Sequence, residues 1–396
     1  MGTDYFKELP NNWEVKKFGD VAKITCGVAA TPEYVDASVG IPFFSARNVQ
    51  NGRLDLSYFQ YISVELHKKL TKNTKPERGD ILLTRVGAGI GEAAVVNIDF
   101  EFSVYVSLTL IKCSQQIESE FIKLLLNTNY YRYLATRDQF AGGGVQNLNV
   151  QMVKDYPIPV PPLLEQKKIA QILSTWDQAI SATEKLLENS QQQKKALMQQ
   201  LLTGKKRLLY ENGIKFAEEW QRIELGLLLD YKQPTPYLVE STAYSDIYET
   251  PVLTAGKTFI LGYTNECSGI YQDQLPVIIF DDFTTDSKFV DFPFKAKSSA
   301  MKILTARKGV SIKFVFEAMQ MLQFSVGGHQ RHWISIFSNL VISIPNLKEQ
   351  EKIAEILSAA DKEIEILQKK LDCLKQEKKA LMQQLLTGKK RVKVAA

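Results

Sequence analysis

The sequence predicts an α+β protein in which two mixed α/β domains are separated by two long antiparallel coiled-coil helices, related by a pseudo-two-fold. Three observations lead there. A segment of 45 residues occurs twice, Leu163–Arg207 and Leu347–Arg391, offset by 184 without a gap and identical at 28 positions. Both copies space their apolar residues every three or four positions, the signature of packed helices. The regions outside the repeats alternate short apolar runs with turn residues, as strands do. The chain therefore reads as domain, helix, domain, helix.

The first domain covers residues 1–162. Its apolar runs Ile41–Phe44, Asp80–Leu83, Ala93–Val96 and Leu108–Ile111 are predicted strands, and Glu118–Leu134 is a predicted helical stretch. The first helix, 163–204, carries Ile169, Leu173, Trp176, Ile180, Leu187, Leu197 and Leu201 on one seam, interrupted by Thr183, Ser190 and Lys194. Steps of four and three alternate along that seam, a 3.5-residue period that winds helices into a left-handed pair. Thr203-Gly204 ends the helix, because glycine accepts the left-handed cap conformation. A linker, 205–219, follows.

The second domain, 220–346, contains the predicted strands Pro251–Thr254, Pro276–Phe280 and Val341–Ile344. It opens on Trp220-Gln-Arg-Ile-Glu-Leu-Gly226, an echo of Trp13-Glu-Val-Lys-Lys-Phe-Gly19 at the start of the first domain. The second helix, 347–388, has the cleaner seam: Ile353, Leu357, Ala360, Ile364, Leu367, Leu371, Leu374, Leu381 and Leu385, with Lys378 its polar member. Residues 389–396 form a basic tail. The second helix starts at the second domain, so pairing along both seams is simplest if it runs back antiparallel to the first. From Ile169 to Leu201 such a bar is about 48 Å long at 1.5 Å per residue.

Composition narrows the function classes. With 49 basic and 44 acidic residues the net charge is +5, compatible with a basic groove on a neutral body but not with a histone-like binder. The four cysteines, Cys26, Cys113, Cys267 and Cys373, lack the paired spacing of a disulfide framework or zinc site. The polar N-terminus lacks the apolar core of a signal peptide, and Val277–Phe280 is too short to span a bilayer, so a cytoplasmic protein without membrane partners is expected.

Catalytic motifs do not close. Gly256-Lys257-Thr258 looks like part of a phosphate loop, but the glycine required five residues before Gly256 is Pro251. His329 and His332 have no carboxylate at metal-ligand spacing. Asp273 or Asp281 with Asp286 and Lys288 would be the parts of a metal-dependent nuclease, although such residues more often form a solvated turn. Gly87-Ala-Gly-Ile-Gly91 alternates its glycines and fits a tight turn better than a dinucleotide site.

A family resemblance rests on Gly143-Gly-Gly-Val-Gln-Asn-Leu-Asn149, Ile158-Pro-Val-Pro-Pro162 and Glu165-Gln166-Lys-Lys-Ile169-Ala170-Gln-Ile-Leu173. It is repeated by Gly327-Gly-His-Gln-Arg-His-Trp333 leading to Glu349-Gln350-Glu-Lys-Ile353-Ala354. Together with Arg78-Gly-Asp-Ile-Leu82 and the two tryptophan starts, these resemble the specificity subunit of type I restriction–modification systems over nearly the whole chain. The second copy departs in having Pro345-Asn346 where the first has Pro161-Pro162.

The resemblance implies a non-catalytic subunit whose two target-recognition domains each read a few base pairs of double-stranded DNA, with the helical bar setting the unread spacer. It implies two modification subunits that methylate adenine at N6 with S-adenosylmethionine. It also implies two restriction subunits that use ATP and Mg²⁺ to translocate and cut, so that no cofactor belongs to this chain. A 48 Å bar matches about 14 base pairs at 3.4 Å each, an upper scale for half-site separation.

The candidate DNA contacts are the glycine-rich loops before each helix: Gln146, Asn147 and Asn149 in the first domain, Gln330, Arg331 and His332 in the second. Glycines admit close backbone approach and amides can bond base edges. Arg47, Asn48, Arg85, Lys257 and Thr258 are further candidates, in which basic side chains more often hold phosphate than read bases. Two other classes stay open at this stage. A coiled-coil scaffold for protein partners would lack salt-dependent DNA affinity, and a self-sufficient endonuclease would cut with magnesium alone.

Overall fold

A computed structural model describes residues 6, 9–27, 32–137, 147–254, 258–322 and 332–394. The chain divides into two compact units: Met1–Ala182 with Leu371–Ala396, and Thr183–Lys370. Each unit thus holds one α/β domain and one half of each long helix.

In the first unit a four-stranded antiparallel sheet has the order Ala22–Cys26, Leu108–Cys113, Ile81–Thr84, Ala93–Val95. In the second unit the order is Leu229–Lys232, Met301–Ala306, Val277–Asp281, Ser287–Val290, the same path through space. A smaller sheet repeats likewise. Ile41–Phe44 lies between antiparallel Gln60–Ile62 and parallel Ser103–Val104. Its counterpart Thr250–Leu253 lies between antiparallel Ile260–Thr264 and parallel Lys295–Ala296. A two-stranded ribbon joins the start of each domain to its end: Glu14–Lys17 with Pro157–Val160, and Gln221–Glu224 with Val341–Ile344. The tryptophan echo therefore marks a structural equivalence.

Successive strand residues point to opposite faces, and here both faces are covered. Ile81, Leu83 and Ile111 enter a core with the helix Ser119–Leu126 and with Ile169, Leu173 and Leu385 of the long helices. Leu82, Leu108 and Leu110 enter a second core with Phe44 and Phe102. In the other unit Ile278, Phe280 and Leu304 face the helix Ile312–Gln320 and the long helices, while Val277, Ile279 and Ile303 face the small sheet. Double-sided burial explains why the central strands read as unbroken apolar runs. The helical stretch expected over Glu118–Leu134 is two helices, Ser119–Leu126 and Asn129–Arg137. Between them the Asn127 side chain donates to the Lys123 and Ala93 carbonyls and accepts from the Ala93 N–H, tying the junction to strand Ala93–Val95.

The long helices span Leu163–Leu201 and Leu347–Leu385. Every seam position, from Ile169 through Trp176 and Thr183 to Leu201 and from Ile353 through Ile364, Leu367 and Leu374 to Leu385, is buried or half-buried. The two lysines of the seams are ion-paired. Lys378 reaches Asp177 at 2.6 Å in the first unit, and Lys194 reaches Asp361 at 2.5 Å in the second. Burial disfavours the Lys194 charge, but its bond to Asp361 and the nearby charge of the buried Glu317 more than offset this and lift its pKa above the ordinary value. A buried carboxylate clamps each helix start. Glu165 accepts from Arg391 at 2.6 and 2.7 Å and from the Trp13 indole at 3.1 Å. Glu349 accepts from Arg207 at 2.9 and 2.7 Å and from the Trp220 indole at 3.3 Å. Within each unit, partners descend on one helix as they ascend on the other, so the paired segments are antiparallel. The pairs also exchange: Glu165 and Glu349, Asp177 and Asp361, Lys194 and Lys378, and Arg207 and Arg391 are the repeat equivalents of one another. Among the described residues no helix is long and apolar enough to cross a membrane.

The two helix stops have the predicted glycine conformation, with φ of 71° at Gly204 and 73° at Gly388. Their surroundings differ. A Cβ on Gly204 would sit 3.5 Å from the Trp220 ring, an ordinary contact, whereas one on Gly388 would sit 2.4 Å from Pro10 Cδ. Gly204→Ala is expected to cost about 1 kcal/mol from the positive φ alone, and Gly388→Ala about 1–3 kcal/mol more because overpacking is added. Urea unfolding of the two variants tests this, and equal losses would contradict it.

Candidate nucleic-acid interface

Local hydrogen bonding sorts the candidate residues of the first domain into two groups. Asn48 is buried, and its whole amide is used: Oδ1 accepts from Ser45 N–H, and Nδ2 donates to the carbonyls of Asp55 (2.9 Å) and Tyr58 (2.8 Å). It is the organiser of the loop 45–58, not a group facing solvent. Arg85 is buried too, with Nε donating to the Leu148 carbonyl at 2.7 Å and Nη1 to the Val106 carbonyl at 3.3 Å. The Arg85 side chain thereby pins the segment 147–149 to the turn after strand Ile81–Thr84. Asn147 forms a bridge with Val86, and the Asn149 side chain caps the helix Val150–Lys154 by accepting from Gln151 N–H at 2.9 Å. The turn of Gly87 to Gly91 is the tight one expected, with positive φ at both ends of the motif. Gln146 lies outside the described residues.

Arg47 differs from the others. It is exposed, its guanidinium lies 5.5 Å from the Tyr58 ring centroid, and among the described residues no carboxylate or carbonyl accepts from it. Beside it, Gln60 Nε2 donates to the Tyr58 hydroxyl at 2.7 Å. The loop carrying Arg47 and the segment carrying Asn147 meet through one turn: Ser107 Oγ accepts from Ala46 N–H, the Ser107 carbonyl accepts from Arg85 N–H, and Val106 bonds the Arg85 side chain. The structure thus gathers Arg47, Tyr58, Asn147 and Asn149 on neighbouring loops, with Gln60 at the start of strand Gln60–Ile62 beside them. Tyr58 and Gln60 were missed from sequence, because an alternation of tyrosine and glutamine resembles any half-exposed strand.

The second domain repeats the scaffold with different chemistry. Where Arg85 donates to the Leu148 carbonyl, the buried Asp282 accepts from the Trp333 N–H at 2.9 Å. The residue after strand Thr250–Leu253, Thr254, donates to the Thr258 carbonyl at 2.7 Å, and elsewhere on this domain Lys297 lies over the Tyr244 ring. Asp281, weighed as a nuclease ligand, accepts from Phe283 N–H as a turn former. Lys257, Gln330 and Arg331 lie outside the described residues. His332 begins the short helix His332–Ser335. Among the described residues no group of three or more His, Cys, Asp or Glu is placed to hold a metal ion.

Two domains of one topology with unlike surface loops are what divergent recognition from a shared scaffold requires, and sequence comparison bears on that directly. The model of the family described as "Type I restriction modification DNA specificity domain" matches residues 10–190 and again 217–376. The chain belongs to this type I specificity family. Its curated relatives include the EcoR124I/EcoR124II specificity subunit of Escherichia coli, 52% identical over 145 residues, or 35% of each chain. The chain thus matches about a third of that relative's length. A Methanocaldococcus jannaschii protein named as the putative MjaX specificity subunit is 26% identical over 98% of this chain and 95% of its own. Among solved structures, a type I restriction–modification S subunit from M. genitalium superposes with a TM-score of 0.66 at 16% identity, covering 96% of this chain and 97% of that one. At that identity the likeness concerns the fold alone. Membership of the type I specificity family makes this a DNA-recognition chain, not a catalytic one.

Proposed function

We propose that the chain reads an asymmetric bipartite site in double-stranded DNA, one half-site per recognition domain, and so directs adenine-N6 methylation and cleavage by partner subunits. The observation that carries this is the pairing of one strand order with unlike loops: after the equivalent strands Ile81–Thr84 and Val277–Asp281, Arg85 holds the Leu148 carbonyl where Asp282 holds the Trp333 N–H, and after Ile41–Phe44 Arg47 lies over Tyr58 where Thr254, after Thr250–Leu253, bonds the Thr258 carbonyl. A repeated scaffold with unlike loops suits two unlike half-sites. The near-identical helices, by contrast, suit duplicated docking of one partner type. The reading therefore assigns two modification subunits to the repeated Lys194–Arg207 and Lys378–Arg391 segments, with two restriction subunits joining them. S-adenosylmethionine, ATP and Mg²⁺ then belong to those partners, and this chain's residues supply orientation and sequence choice. The long helices set the number of unread base pairs between the half-sites. A coiled-coil scaffold would account for the helices but not for two loop sets that differ around one topology.

Methylation mapping in cells carrying this chain with its methyltransferase subunit tests the reading. The expected pattern is N6-methyladenine at one split motif whose halves differ. Replacing residues 220–346 by the corresponding domain of another specificity subunit should change one half and leave the other. Methylation without a split motif, or a change in both halves, would reject it.

A further inference from the structure

The first domain has a pocket of about 220 Å³ bounded by Tyr34, Ser45, Arg47, Tyr58, Gln60 and Tyr105. Its construction is specific. The buried Asn48 amide fixes the pocket from beneath by holding Ser45 N–H and the Tyr58 carbonyl. Tyr58, 56% exposed, lends one ring face to the Arg47 guanidinium and its hydroxyl to Gln60 Nε2. Stacking on a ring orients a guanidinium while leaving its N–H fork free, and it lowers the conformational cost of using that fork. With Nε2 engaged by Tyr58, Gln60 has its Oε1 left as an acceptor.

We propose that this pocket reads a G·C pair of the first half-site, with Arg47 donating to the guanine edge and Gln60 Oε1 accepting from the cytosine amine. In the major groove guanine presents two acceptors, N7 and O6, and cytosine one N–H donor. A donor fork beside one acceptor matches that order and mismatches A·T, whose adenine puts a donor where guanine has O6. Tyr58 and Asn48 act as positioning residues: Tyr58 orients Arg47 and Gln60, and Asn48 holds Tyr58. The alternative use of an exposed arginine, a phosphate contact, needs no aromatic platform and no neighbouring acceptor. This inference rests on the DNA-reading function proposed above.

The test selects preferred sites from a randomised duplex library with the complete chain bound to its methyltransferase subunits. Arg47→Ala is expected to lower discrimination at one base pair by roughly tenfold to a hundredfold, leaving other positions and the other half-site unchanged. Arg47→Lys should fail to restore it, because a point charge cannot replace a fork. Tyr58→Phe keeps the ring face but drops the link to Gln60, so it should give an intermediate loss confined to the same pair. Uniform weakening with a shallower salt dependence would make Arg47 a phosphate contact and overturn the proposal. Unchanged preference in both Arg47 variants would overturn it too. If instead the wild-type complex selects no sequence, the DNA-reading function fails, a result separable from either.

Discussion

Glu349→Ala is expected to destabilise the unit Thr183–Lys370 by about 3–5 kcal/mol, the range for removing one partner of a buried ion pair. The Glu349 carboxylate is fully buried, receives both arms of Arg207 and is touched by the Trp220 indole N–H. Arg207 is itself only 17% exposed, so deleting the carboxylate leaves a poorly hydrated cation, with the Glu218 carbonyl as its remaining acceptor, and an indole donor without its acceptor. The exchange partner supplies the control. Arg391, which bonds Glu165, is 43% exposed and can regain water, so Glu165→Ala should cost less, about 1–2 kcal/mol. For a unit of this size the larger loss lowers the melting temperature by roughly 6–20 °C. Hydrogen exchange should place the weakened region within residues 183–370. Equal losses in the two variants would show that burial of the arginine does not decide the cost.

The second large effect concerns length. Inserting one heptad after Leu187 and another after Leu371, equivalent points of the repeat, keeps both seams in phase. Each insertion adds about 10 Å of helix, equal to about three base pairs. Methylation should leave the native motif and move to motifs whose spacer is longer by up to about three base pairs. A heptad in one helix alone should instead impair folding. It shifts one seam against the other, so that Lys194–Asp361 and Lys378–Asp177 no longer meet together. An unchanged spacer after the double insertion would refute the reading that helix length sets the spacer.

The helices and the repeat were legible because their signals are local: a seam residue is recognised by neighbours three and four positions away. The sheets were not. Ala22–Cys26 pairs with Leu108–Cys113, and nothing in either segment names a partner more than eighty residues distant. The candidate contacts show a different limit. Asn48, Asn149 and Arg85 are the residue types that bind DNA, and they are equally the types that satisfy buried or unpaired backbone groups. Their roles depend on whether a carbonyl or N–H comes within reach, which the fold decides. Lys194 and Lys378, read from sequence as flaws in the seam, are its register pins, because their acceptors Asp361 and Asp177 lie on the opposite helix.

The exchangeable clamps have a consequence for inheritance. Every clamp draws one member from each half of the chain, and the halves carry the same members in the same order. A genetic crossover between two such genes inside the repeated segment would transmit an entire reading domain together with connectors that still fit. New sequence preferences could then arise by reshuffling, with no compensating change at the joint.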